Sequence, residues 1–235
     1  MKRIAYTFFA AILVFTATLK ASAQSGESRQ VSGFNSIASS GPFDVHVNIN
    51  GTESLKISAS SKIMNEIETV VEDGTLKIKF KHHSDWNHND DYGQIDVYVT
   101  AKSLSSLANA GSGSIKVEGS LSGGDVNVVL SGSGDIQTAV KSGKLHATIS
   151  GSGSIDINGS ADETKVTIAG SGEVKGKGLK TNDASVTITG SGSAYFTADK
   201  TVSARIVGSG NVVYSGNATI AESKTIGSGS VSKED

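Results

Sequence analysis

The chain has 235 residues, with 28 Gly, one Pro and no Cys, 37% hydrophobic residues and a formal charge of −2. Absent Cys excludes disulfide scaffolds, thiolate zinc sites and thiol catalysis, and Gly without Pro excludes a collagen helix. Aromatic residues make up only 6%, so a core has to be assembled from Val, Ile, Leu and Ala.

Residues 1–23 read as a secretory signal peptide. Lys2 and Arg3 precede a short apolar run, and Ala21-Ser22-Ala23 is a small-x-small cleavage site before Gln24. Removing them takes away Lys2, Arg3 and Lys20. That leaves 18 basic and 23 acidic side chains, a formal charge of −5. An acidic exported chain lacks the basic face that nucleic acid requires. No segment of the mature chain has the length of apolar sequence needed for a transmembrane span. The expected address is the periplasm or the outer cell surface.

Residues 24–107 form an irregular β-rich part. Phe43-Asp44-Val45-His46-Val47-Asn48-Ile49 alternates as a half-buried strand, and Asn50-Gly51 follows as a turn. Leu55 to Ser58 is a further strand. Ile63 to Val71 mixes helical and strand cues. Asp73-Gly74 turns the chain into Leu76 to Phe80, and Ile95 to Val99 is the last strand expected before the repeats. No linker follows, so this part is either a cap or a set of wider coils continuous with what comes next.

The segment between Phe80 and Ile95 is the candidate binding loop. It holds three of the five His residues and the only Trp. His82, His88 and a carboxylate such as Asp90 are the residue types of a metal site, Trp86 with Tyr92 those of a glycan platform, and Asp85 belongs to the same candidate loop. A solvated connection between two strands explains the same residues, and no spacing matches a zinc motif. No metal, cofactor or catalytic residue is therefore assigned.

Residues 108–235 carry a repeat. Gly-Ser-Gly begins at Gly111, Gly132, Gly151, Gly170, Gly190, Gly208 and Gly227, at spacings of 21, 19, 19, 20, 18 and 19 residues. Two residues after each motif stands Ile115, Ile136, Ile155, Val174, Ala194, Val212 or Val231. Two residues before it stand Leu130, Ile149, Ile168, Ile188 and Ile206 in five of the units. This period-2 pattern predicts a strand on each side of a Gly corner. A unit of about 19 residues is one coil of a single-stranded parallel β-helix, a β-solenoid, with like strands stacked about 4.8 Å apart. The Ser hydroxyls would climb one edge as a ladder. In the last unit Ser223 and Thr225 replace Val and Ile, as expected of a polar end that blunts the stack.

Val31-x-Gly33-Phe34-x-x-Ile37, Gly41-x-Phe43-Asp44-Val45-x-Val47, Asp73-Gly74-x-Leu76-x-Ile78 and Ile95-x-Val97-Tyr98-Val99, followed by Ala110-Gly111-Ser112-Gly113, resemble the bacterial family called putative auto-transporter adhesin, head GIN domain. The resemblance runs over residues 30–233. It implies an exported, envelope-associated β-helical protein and supplies no catalytic residue. Three functions are compatible with these readings. The favoured one is a non-enzymatic envelope protein that binds surface glycans or proteins through its β-helix faces. The others are a carbohydrate-active β-helix enzyme and a purely structural envelope protein. An enzyme needs convergent acidic and basic groups. Asp125 with Asp135, and Asp156 with Asp162, are near in sequence without a basic neighbour in the same unit that completes such a set.

Overall fold

A computed structural model describes residues 24–81 and 93–234. It is a nearly all-β solenoid of about seven turns. The repeats form β9 (Ser114–Gly132), β10 (Asp135–Gly151), β11 (Ser154–Gly170), β12 (Glu173–Gly190) and β13 (Ser193–Gly208), each a bent strand that makes nearly a whole coil. Neighbours pair in parallel with like residues in register: Ile136 lies between Ile115 and Ile155, and Ile149 between Leu130 and Ile168. The inward columns are stacks of Val, Ile, Leu and Ala at 0–3% exposure, for example Val128, Ala147, Val166, Val186 and Ala204. The unit inferred from the sequence is thus correct in period and inward residues. The two short strands expected per unit are joined into one.

The two glycines of each corner are required for different reasons. The first has positive φ, from 122° at Gly132 and Gly227 to 151° at Gly111, a region open chiefly to glycine. The second, Gly153 for example, is buried. A Cβ there would collide with the Gly134 carbonyl oxygen of the preceding coil and approach Leu130 Cδ2 to 2.8 Å. The corner is closed by backbone hydrogen bonds: the Ser152 and Gly153 N–H groups donate to Gly132 O at 3.0 and 3.1 Å. The motif serines are left exposed.

The N-terminal part holds parallel coils and an antiparallel cap, where the sequence offered a cap or wider coils as alternatives. Its elements are β1 (Gln24–Arg29), β2 (Ser36–Ser40), β3 (Asp44–Ile49), β4 (Ser54–Ser60), α1 (Ser61–Met64), β5 (Ile67–Glu72), β6 (Thr75–Phe80), β7 (Asp96–Ala101) and β8 (Ser106–Gly111). β2 lies between β6 and β8, and β3 between β7 and β9, all in parallel. The coil β2–β3 is therefore inserted between two coils that follow it in the chain. β1, β4 and β5 run antiparallel and cover the outer end. Arg29 fastens this cap, donating to Ile67 O at 2.7 Å and Met64 O at 3.1 Å. Asp73 and Gly74, both at positive φ, form the two-residue hairpin turn between β5 and β6. Strand β8 was not expected from the sequence: Ser106 to Ala110 is rich in small residues and lacks a Val/Ile pattern.

One core runs from Phe34 to Ala218. The chain ends in β14 (Asn211–Ser215), β15 (Thr219–Gly227) and β16 (Ser230–Lys233). The last coil is less uniformly polar than expected, because Ile220 and Ile226 are 47% and 59% exposed.

Candidate functional site

Strand alternation sends every second residue outward. On β4, β7, β3 and β9 this builds a grid four strands wide. Its middle row is Lys56, Tyr98, His46 and Lys116, in register across all three strand pairs. The row on one side is Ser58, Asp96, Asp44 and Ser114; the row on the other is Ser54, Thr100, Asn48 and Glu118.

The centre of the grid is an aromatic stack. Tyr98 is 47% exposed, and its ring lies on that of His46, with centroids 5.0 Å apart and planes 18° from parallel. Asp96, only 7% exposed, orients the imidazole. Its carboxylate can only accept, so His46 Nε2 donates to Asp96 Oδ1 at 3.1 Å. Gln94 Nε2 donates to the same oxygen at 3.2 Å. Around the stack stand hydroxyls and amides. Ser54 and Thr100 share a hydrogen bond of 2.8 Å, and Asn48 Nδ2 donates to Glu118 Oε2 at 3.2 Å. Lys56 and Lys116, one on each side of the stack, have no ion-pair partner among the described residues. These groups line an open groove of about 550 Å³.

The outward column that passes through Tyr98 and His46 continues as Lys116, Gln137, Asp156, Lys175 and Tyr195. Tyr195 forms a second aromatic position about 29 Å along the axis, six strand spacings away. Lys177 Nζ lies 5.9 Å from its ring centroid, within cation–π range. The neighbouring outward column alternates. Asp44, Ser114, Asp135, Ser154, Glu173, Ser193, Asn211 and Ser230 follow one another. Ser114, Ser154 and Ser230 donate to Asp44, Asp135 and Asn211 at 2.7 to 2.8 Å. From Asp44 onward Ser114, Ser154 and Ser193 each separate two acidic or amide positions, so no two carboxylates are adjacent along this stretch.

A second groove, of about 580 Å³, carries Asp125, Lys144, Glu163 and Asp183 at one register level. Glu163 and Asp183 occupy paired positions of neighbouring strands, about 4.8 Å apart along the backbone, the kind of acidic pair a retaining glycosidase uses. Yet Glu163 is 61% exposed and lies 3.5 Å from Lys144, and Thr201 Oγ1 donates to Asp183. Neither carboxylate occupies the dry pocket that acid catalysis uses.

His82, Asp85, Trp86, His88, Asp90 and Tyr92, the residues singled out in the sequence, lie outside the described residues. Their described neighbours are Lys81, which follows β6, and Gly93, which precedes β7. Among the described residues no three His, Asp or Glu side chains are grouped to hold a metal ion. The Tyr98–His46 pair was missed by sequence reading. Each residue was visible as an outward position of its own strand, but their contact depends on the inserted coil.

The family described as "Putative auto-transporter adhesin, head GIN domain" matches residues 33–218. No curated protein matches the chain. Solved structures share the fold. A putative lipid binding protein from Parabacteroides distasonis ATCC 8503 is 26% identical, with a TM-score of 0.73 over 90% of this chain and 97% of that one. A putative adhesin from Bacteroides fragilis NCTC 9343 is 21% identical, with a TM-score of 0.79 over the same shares. A putative adhesin from Parabacteroides merdae ATCC 43184 is 23% identical, with a TM-score of 0.72 over 90% and 96%.

Proposed function

Because the chain belongs to the auto-transporter adhesin head GIN family, we propose that it is an exported, non-enzymatic protein of the cell envelope that binds surface glycans through the Tyr98–His46 face. Residues 1–23 direct export, and residues 24–107 and 108–235 act together as one rigid support for that face. Among the described residues no helix is long and apolar enough to cross a membrane.

The observation that carries the reading is the exposed ring of Tyr98, stacked on an imidazole that Asp96 holds in place. A sugar ring presents a C–H face to an aromatic plane and a rim of hydroxyls to polar side chains, and the grid offers both. Its rigidity also limits the ordering cost of binding. The test is a glycan array probed with the purified protein, with Tyr98→Ala and with His46→Ala. Both variants are expected to lose the wild-type signal. An unchanged profile overturns the placement of the site.

The enzyme reading draws support from the adjacency of Glu163 and Asp183. Incubating the protein with each bound glycan and measuring reducing ends separates the two. Product released by wild type and abolished by Glu163→Gln would replace the binding role with a hydrolytic one.

A further inference from the structure

β15 ends the stack. Among the described residues it pairs on one side only, with β13, and all nine of its residues are exposed. Its other edge offers unpaired backbone N–H and C=O groups to a further strand. At the opposite end β1 and β5 also pair on one side only among the described residues, but Arg29 of β1 ties that end together by donating to Ile67 O of β5 and Met64 O of α1.

The sequence of β15 is symmetric in its chemistry about Ser223. Glu222 and Lys224 flank that residue, Ala221 and Thr225 follow, and Ile220 and Ile226 stand beyond. In an antiparallel pair, residues directly opposite one another have a constant sum of positions. Two copies of β15 centred on Ser223 therefore place Glu222 of each against Lys224 of the other, twice. Centring on Glu222 or Lys224 instead opposes like charges, and the half-step registers oppose neither pair. The charge pattern selects one register, and that register is two-fold symmetric, as a closed dimer requires.

The charges have a reason to seek a second copy. Within its own chain Lys224 is in register with Arg205, a like charge, and has no acidic partner among the described residues. Glu222 reaches Arg205 only at 3.8 Å. Ser223 and Thr225 sit over Ala204 and Ile206 in the inward columns, so a second copy would also cover the end of the core. A bulge at Ala221 turns Ile220 away from the face that Ile226 occupies. The pairing accordingly rests on Glu222 to Lys224 and the adjoining backbone rather than on the isoleucines.

We propose that two copies of the chain associate tail to tail through antiparallel β15 strands centred on Ser223. The experiment is sedimentation velocity of the purified protein over a range of concentrations. Wild type is expected to show twice the mass of one chain. Lys224→Glu, which also relieves the contact with Arg205 and so spares the fold, is expected to show the mass of one chain, as is Glu222→Lys. A mixture of the two variants, whose charges are complementary only across the pair, should recover the doubled mass. A second measurement covers weak association. Since the chain has no Cys, Ser223→Cys places a lone thiol on the two-fold axis, against its own copy. Under mild oxidation it should give a disulfide-linked dimer that Lys224→Glu suppresses, whereas Ser228→Cys should not cross-link. A doubled mass that survives Lys224→Glu overturns the proposal. So does a single-chain mass at every concentration together with no Ser223→Cys cross-link, or a cross-link indifferent to Lys224→Glu.

Discussion

Gly153→Ala is the sharpest probe of the corner geometry. Gly153 does not require positive φ, so the substitution tests contact alone. Its new methyl group would press on the Gly134 carbonyl oxygen, on Leu130 Cδ2 at 2.8 Å and on the Ser133 carbonyl carbon at 3.1 Å. Two of these are backbone atoms, held by coils on both sides, and cannot rotate aside. Separating them strains the Ser154 N–H to Gly134 O hydrogen bond, now 3.2 Å. Overpacking costs about 1–3 kcal/mol and the lost hydrogen bond about 1 kcal/mol, or roughly 2–4 kcal/mol together. For a chain of this size that is a fall of roughly 4–16 °C in thermal midpoint. Gly229→Ala is the control. It meets the equivalent Gly210 oxygen at 2.5 Å and Ile206 Cγ2 at 2.6 Å, but it lies in the last described coil, where β16 pairs only with β14 among the described residues and can lift away. Its midpoint should change little. The assay is thermal unfolding followed by far-ultraviolet circular dichroism. Equal losses at Gly153 and Gly229 would refute the argument that confinement between coils, rather than the local corner, sets the cost.

Three further outcomes follow from particular contacts. Tyr98→Phe keeps the aromatic plane and should retain most glycan binding where Tyr98→Ala loses it; equal loss in both on the array would assign the effect to the hydroxyl. Glu53 accepts from Lys102 Nζ at 2.6 Å and from the Gly33 N–H at 2.8 Å, and chiefly Lys102 holds its carboxyl below the usual 4.5. A depressed carboxyl contributes its stability in full above the unfolded value and loses it as pH falls through the folded one, so wild type should lose midpoint faster than Glu53→Gln as pH drops below 4.5; parallel profiles would contradict this. Ser154→Asp sets three carboxylates in consecutive strands between Asp135 and Glu173. It should cost on the order of 1 kcal/mol at low salt, with the difference in midpoint shrinking as salt screens the charges.

The repeat was legible because a solenoid stacks equivalent residues. One period of sequence fixes both the inward columns and their neighbours, and Ile149 meets Ile168 because both precede Gly-Ser-Gly by two residues. The alternation of Ser114, Asp135, Ser154, Glu173, Ser193, Asn211 and Ser230 was equally open to reading, since each directly follows a corner. The N-terminal part was not legible in this way. Nothing local in Ser36 to Ile49 says that this coil will be inserted between β6–β7 and β8–β9, and the Tyr98–His46 contact spans 52 positions. The densest group of unusual residues in the sequence is His82 to Tyr92. Chemistry-bearing residue types attract notice when they are close in sequence, whereas the grid assembles its groups from four separated strands.

The position of the grid and the open edge of β15 are linked by the logic of the fold. Regular coils tolerate change only on outward columns, because the interior is fixed by stacking and the corners by Gly. The grid lies among the first coils, and the edge seven strand spacings further on, about 34 Å. Tail-to-tail pairing through β15 would then carry the two Tyr98 faces to opposite ends of one rigid body. A shallow, open platform makes few contacts with one sugar and is expected to bind it weakly. Two such platforms engaging a repeating polymer convert the second contact into an intramolecular one, which raises avidity without any new interaction. Lys224→Glu leaves the grid untouched, so it should leave binding of a short oligosaccharide unchanged and weaken retention on a polymer-coated surface. Equal weakening of both would show that the two ends of the molecule are coupled by something other than dimerisation.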